Sequence, residues 1–197
     1  YYPAEGRSIA IQCSLTIDGE TPFYEADSIS LDRIWVDAGE ITVDGNGNEM
    51  RPSQKEAPEW NKVSLSNTAG DNLPFRFYLT KGKHTIRLHN TRESLVLKSF
   101  SIIGAEDLPT YEEVISQYEG EDVAGTAVVN QVEGEDSYRK SDSMLYPIFD
   151  RSSPLTSPPI AGNIKLNTIG GTRWNQAGQW IEWKITVPED GLYKIVL

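Results

Sequence analysis

An all-β sandwich is the fold class this sequence predicts, and three observations carry the prediction. Between Ser8 and Asp18, the residues Ile9, Ile11, Cys13, Leu15 and Ile17 fall on one parity with small or polar side chains between them, the period of a half-buried strand. Further strand-forming runs recur at short spacing, separated by Gly-, Asn-, Asp- and Pro-rich breaks, as in sandwiches made of many short strands. The strongest alternation comes last. Ile181, Trp183, Ile185 and Val187 share one face, Pro188-Glu-Asp-Gly191 turns the chain, and Tyr193, Ile195 and Leu197 resume the pattern.

The elements follow in order. Asp18-Gly19 reverses the first strand. Strands are then expected at 29–36, 41–43, 62–65, 75–79, 84–89 and 95–103, with Lys81-Gly82-Lys83 closing a hairpin between the runs at 75–79 and 84–89. Asp44, Asn46 and Asn48 imitate the start of a calcium loop, but position six is Glu49 instead of Gly and position twelve is Lys55, which excludes an EF-hand and leaves a tight turn. Trp35 and Trp60 flank this loop and are expected in the core or beneath it. One short helix is predicted where Thr110 and Glu113 form a capping box and Tyr111, Val114, Ile115 and Tyr118 follow at helical spacing. The acidic run Glu119-Gly-Glu-Asp122 reads as a solvated linker, because clustered carboxylates repel one another. A second β pattern begins at Val128, and the Pro- and Ser-rich stretch 152–159 lacks periodicity and reads as a long loop.

Composition narrows the partners. Among 197 residues, 18 Lys and Arg face 29 Asp and Glu, and the net charge of −11 opposes binding to nucleic acid or anionic lipid. No apolar run approaches the ~20 residues that span a bilayer, so no direct membrane insertion is expected. The lone Cys13 forbids an internal disulfide, and its place on an apolar strand face predicts a buried small hydrophobe. Because the chain opens at Tyr1 without a leader and stops at Leu197 within an alternation, we expect a fragment whose targeting segment lies upstream.

The run Gly178-Gln-Trp-Ile-Glu-Trp-Lys-Ile-Thr-Val-Pro-Glu-Asp-Gly-Leu-Tyr193 resembles a recurring segment of galactose-binding-like jelly rolls, notably carbohydrate-binding modules of families six and thirty-five. Val132-Glu-Gly-Glu-Asp136 looks like their opening strand, which normally reads Glu-Ala-Glu. Almost the whole chain resembles the large extracellular solute-binding lipoproteins of ABC importers in Gram-positive bacteria. That likeness is carried by Ile17-Asp-Gly-Glu-Thr-Pro-Phe23, Arg33-Ile-Trp-Val-Asp37, the 75–88 run, Asp107-Leu-Pro-Thr-Tyr111, the 141–154 run and Asn167-Thr-Ile-Gly-Gly171. The resemblance implies jelly-roll sandwiches, with residues 1–105 as the C-terminal part of a first, 106–124 as helix and acidic linker, and 125–197 as the N-terminal part of a second. Each half lacks what the other has, so 1–105 and 125–197 are expected to complete one sandwich in permuted order, or to do so between two chains. It also implies an extracellular, cell-surface location, lipid-anchored in the full-length protein. The implied partners are an oligosaccharide or polysaccharide, neighbouring domains of the same polypeptide and, indirectly, the importer permease. Glu133 and Glu135 match positions that in such modules hold a structural calcium, although Gly134 departs from the pattern and a solvated Glu pair is the simpler reading.

Sugar sites pair an aromatic face with amide, carboxylate and Arg groups that satisfy hydroxyls. The best local match is Arg173-Trp174-Asn175, faced from the preceding loop by Tyr146, Asp150 and Arg151; the alternative makes Trp174 a lid on the core. Trp183 belongs with Ile181 and Ile185 in the core, and Trp180 points the opposite way. For catalysis, His84 and His89 lie on opposite strand faces, and no Ser–His–Asp set, phosphate loop or zinc motif assembles. No enzyme is expected. The alternatives to a sugar-binding accessory domain are a structural spacer or protein-docking sandwich, and an accessory domain of a secreted glycoside hydrolase.

Overall fold

The strand Ile11–Ile17 sits at the centre of a three-stranded antiparallel sheet because its alternation is real: Ile11, Cys13 and Leu15 are buried, and Gln12, Ser14 and Thr16 lie between them half-exposed. It is flanked by Ile29–Leu31 and by Ile86–Arg92, in register Cys13↔Ile29 and Leu15↔Leu88, with a bulge where Thr91 goes unpaired. These positions come from a computed structural model, which describes residues 1–4, 9–68, 70, 72–120 and 130–197. Ser8, the Glu121-Asp122 end of the acidic run and the onset of the second β pattern at Val128 lie outside the described residues. The chain forms two compact units, one of 1–100 with 133–183 and one of 101–132 with 184–197.

In the first unit, every assigned strand pair is antiparallel, and the architecture is all-β, spread over several small sheets. A four-stranded sheet runs in the order Ile181–Glu182, Arg139–Lys140, Trp35–Asp37, Gln54–Glu56, with Trp35↔Glu56 and Lys140↔Trp35 in register. Segments from either side of the helix therefore share one sheet. Two-stranded ribbons join Tyr2–Pro3 to Leu95–Val96, Thr42–Val43 to Glu49–Met50, and Pro147–Ile148 to Thr168–Ile169. Ile11, Cys13 and Leu31 form the centre of the core, with Tyr1, Leu65 and Leu95 against it, and burial raises the Cys13 thiol pKa.

Among the described residues, two cations are buried in this unit, and both are paired with carboxylates. Arg33 donates to the carbonyls of Ile9 (2.7 Å) and Ala4 (3.0 Å) and to the carboxylates of Glu56 and Glu93, while Lys140 donates to Asp37 at 2.7 Å. Buried charge persists only when its hydrogen-bonding capacity is met in this way.

Several expected elements are shorter or displaced. The Asp18-Gly19 turn forms with both residues at positive φ, and Ile17 and Glu20 exchange backbone hydrogen bonds across it. The histidine-bearing strand begins at Ile86, because Thr85 is held by Asp18: its N–H reaches the Asp18 carboxylate and its carbonyl accepts from the Asp18 N–H, each at 2.8 Å. Residues 75–79 form no strand; Phe75 and Phe77 instead pack their rings against Phe23 at 4.9 and 5.3 Å. Trp60 is exposed and packs on Tyr2, contrary to a core position, whereas Trp35 is buried. The Asp44 turn forms as expected, the carboxylate accepting from the N–H groups of Asn46 and Asn48 and from the Asn48 side chain, which holds its pKa below the ordinary value.

The second unit contains the helix Tyr111–Ile115, continued by a 3-10 turn over Ser116–Tyr118. Its capping box is complete: Thr110 Oγ1 accepts from the Glu113 N–H at 3.2 Å, and the Glu113 carboxylate accepts from the Thr110 N–H at 2.7 Å. Ile185, Val187 and Ile195 of this unit are exposed. Among the described residues, no helix is long and apolar enough to cross a membrane.

Candidate functional site

A groove of about 410 Å³ opens on the first unit beside the Pro147–Ile148 ribbon. Antiparallel pairing of Pro147 with Ile169 and Ile148 with Thr168 fixes the ribbon, so Tyr146 enters the wall just before it and Phe149 leaves the wall just after it. Gly170 and Gly171, both at positive φ, then turn the chain into the short 3-10 helix Gly171–Arg173, which returns Arg173 to the groove. A side chain at Gly170 would also press on the Trp174 ring, its Cβ falling 3.2 Å from Cε3.

Tyr146 is the organising residue. Its hydroxyl accepts from Arg173 Nε at 2.7 Å, and its ring carries two guanidinium groups, with Arg51 Cζ 3.9 Å and Arg173 Cζ 4.7 Å from the centroid. Cation–π contact of this closeness orients each guanidinium before any ligand arrives. Glu49, on the same lining, is neutralised: its carboxylate accepts from Lys165 Nζ at 2.7 Å and from the Leu166 N–H at 2.8 Å, and the Lys165 bond first, then the backbone bond, hold its pKa low. Phe149, 47% exposed as a residue, lines the groove beside apolar wall from Ile148, Ile164 and Leu166.

The sequence-selected residues divide. Tyr146 and Arg173 meet in the groove. Arg151 lies over the Phe149 ring at 5.5 Å and so flanks it. Asp150 turns its carboxylate onto the Ser152 N–H and hydroxyl, at 2.9 and 2.8 Å, which lowers its pKa and organises the loop. Asn167, buried, ties that loop down by bonding the Asp150 N–H and carbonyl and the Pro158 carbonyl. Trp174 is 43% exposed, donates its indole N–H to the Gln179 carbonyl at 3.1 Å and leans on Trp183, while the Asn175 N–H is taken by the Gln179 side chain. These two belong to a separate turn that does not line the groove. Glu49, Arg51 and Phe149 were not selected from sequence. Phe149 stood inside the quoted 141–154 run and its spacing from Tyr146 was a usable signal; the other two arrive from a distant ribbon.

A second hollow, of about 500 Å³, is lined by Asp32, Arg92, Asp142, Gln176 and Gln179 among others. Its acids are engaged internally, since Asp32 accepts from the Trp180 indole at 2.9 Å and Asp142 from Met144 N–H and Gln179. Burial raises the Asp32 pKa against that hydrogen bond. Its one aromatic lining residue, Trp35, is buried and offers no open face.

At the expected metal position, Glu135 is only 6% exposed and its Oε2 has no hydrogen-bond partner. Burial first, then the negative charges of Glu133, Asp136 and Glu49, raise its pKa. The orphaned oxygen suits a cation, but among the described residues no group of three or more His, Cys, Asp or Glu gathers to hold one, so carbonyl oxygens would have to supply much of a calcium shell of six to eight oxygens. No protein-family model, curated protein or solved structure matches this chain.

Proposed function

We propose that this chain is a non-catalytic carbohydrate-binding accessory domain of jelly-roll type, belonging to an extracellular solute-binding protein of an ABC importer. The observation that carries the binding reading is the groove lined by a half-exposed Phe149 and by guanidinium groups oriented by Tyr146. An aromatic plane for a pyranose face, with fixed donors for its hydroxyls, is the chemistry a sugar subsite requires. The jelly-roll topology, the cell-surface location and the importer context rest on the sequence resemblance alone.

Calorimetric titration with a panel of plant and bacterial oligosaccharides tests the binding. Phe149→Ala should weaken affinity about threefold to tenfold, the scale of one aromatic stacking contact, without unfolding the domain. The titrations are run with calcium and with chelator, because a structural calcium at Glu133 and Glu135 would give the orphaned oxygen a partner and show as a calcium-dependent melting temperature. Failure of every oligosaccharide to bind the folded chain would leave the spacer or docking reading, which the exposed Ile185, Val187 and Ile195 of the second unit favour.

A further inference from the structure

We propose that the Tyr146 groove selects acidic sugars, with Arg51 and Arg173 clamping the carboxylate of a uronic-acid residue whose ring lies against Phe149; this rests on the carbohydrate reading above. The charge balance points there. In a chain of net charge −11, two guanidinium groups line this one groove, both against the Tyr146 ring. Neither Arg51 nor Arg173 has a carboxylate partner among the described residues, and Arg173 commits only Nε, to the Tyr146 hydroxyl. The nearby acids do not pair with them: Glu49 is bridged to Lys165, and Asp150 is turned onto Ser152.

Geometry favours a planar anion. A guanidinium offers paired N–H groups in one plane, which match the two oxygens of a carboxylate, and stacking on a ring reduces the ordering lost when it binds. Ile148, Ile164 and Leu166 line the same groove and suit the C–H face of a pyranose better than a free, hydrated ion. A neutral sugar would meet the aromatic and apolar wall but offer the two guanidinium groups no acceptor of opposite charge.

The test titrates the full chain with galacturonate, glucuronate and mannuronate trimers, each beside its fully methyl-esterified counterpart, which keeps the ring and removes the charge. At least one acid should bind about tenfold to a hundredfold more tightly than its ester, the range of a charged hydrogen-bonding pair. That preference should shrink as salt is raised from about 50 to about 300 mM. Arg51 is exposed, so Arg51→Gln should keep the fold, verified by near-ultraviolet circular dichroism, and reduce the acid-to-ester ratio at least severalfold; Arg51→Lys should retain part of it. Esters that bind as tightly as their acids, or a ratio indifferent to Arg51→Gln, would overturn the acidic-sugar assignment and leave carbohydrate binding standing. If neither acids nor esters nor any neutral oligosaccharide binds, the carbohydrate reading falls and this inference falls with it.

Discussion

His84 sits between two acceptors. Its Nδ1 is 2.7 Å from an Asp18 carboxylate oxygen and its Nε2 is 2.8 Å from the Thr80 carbonyl, and neither partner can donate, so both contacts are made only by the doubly protonated ring. The Asp18 hydrogen bond first, then the Thr80 carbonyl, raise the His84 pKa above its ordinary 6.5. A raised folded pKa means the contribution to stability is complete below 6.5 and is lost as pH rises through the folded value. Asp18 runs the other way: the Thr85 N–H first, then His84, depress its pKa below 3.8, so its contribution is present above 3.8 and is lost as pH falls through the depressed value. The melting temperature should therefore decline from about pH 6 to about pH 8, and His84→Gln should flatten that slope; an equal slope in the variant would show that this histidine is not its source. Parity in the sequence separated His84 from His89, but it could not supply Asp18, 66 residues away. The groove has the same limit. Arg173 was legible in the polar turn before a strand and Tyr146 in the preceding loop, whereas Arg51 comes from a segment that Glu49 ties to Ile164 and Leu166, more than 100 residues away.

Between elements, Lys140 is a buried tie. It is wholly buried, pairs in register with Trp35 and places its ammonium on Asp37, which also accepts from Gln54. Removing one member of a buried ion pair strands the other, at a cost of about 3–5 kcal/mol, and Asp37 keeps some solvent, so Lys140→Ala should cost about 3 kcal/mol in urea unfolding. Replacing both, as Lys140→Met with Asp37→Leu, should recover most of that loss, because apolar packing of similar volume substitutes well for a buried pair. A single-variant loss below about 1 kcal/mol would mean that water reaches the ammonium. Local signals served well here where they were self-contained, as in the Thr110–Glu113 box and the Asp18-Gly19 turn. They failed where strand length depends on a distant partner: the alternation through Val187 promised a long strand, yet pairing covers only Ile181–Glu182 because Arg139–Lys140 offers two residues.

At the scale of the whole molecule, the first unit draws on two separate stretches of the sequence, 1–100 and 133–183, and its cohesion can be tested by dividing the chain. Within 1–100, Trp35–Asp37 keeps Gln54–Glu56 on one side but obtains its other neighbour from Arg139–Lys140, and Asp32 receives the Trp180 indole N–H at 2.9 Å. A polypeptide of residues 1–120 would expose the open edge of that strand, leave Asp37 without its cation and uncover Trp35. Such an edge invites pairing with other chains, and the lost contacts are non-local ones that no rearrangement within 1–120 supplies. The 1–120 piece should accordingly lack the near-ultraviolet circular dichroism of the intact chain, exchange its Trp35 amide quickly and self-associate. Adding residues 130–197 as a second piece should return the slow Trp35 exchange in proportion to the complex formed, because association restores the sheet by mass action. If 1–120 alone protects Trp35 as well as the intact chain does, the four-stranded sheet is not the unit of stability, and the three-stranded sheet around Ile11–Ile17 must hold the first unit by itself.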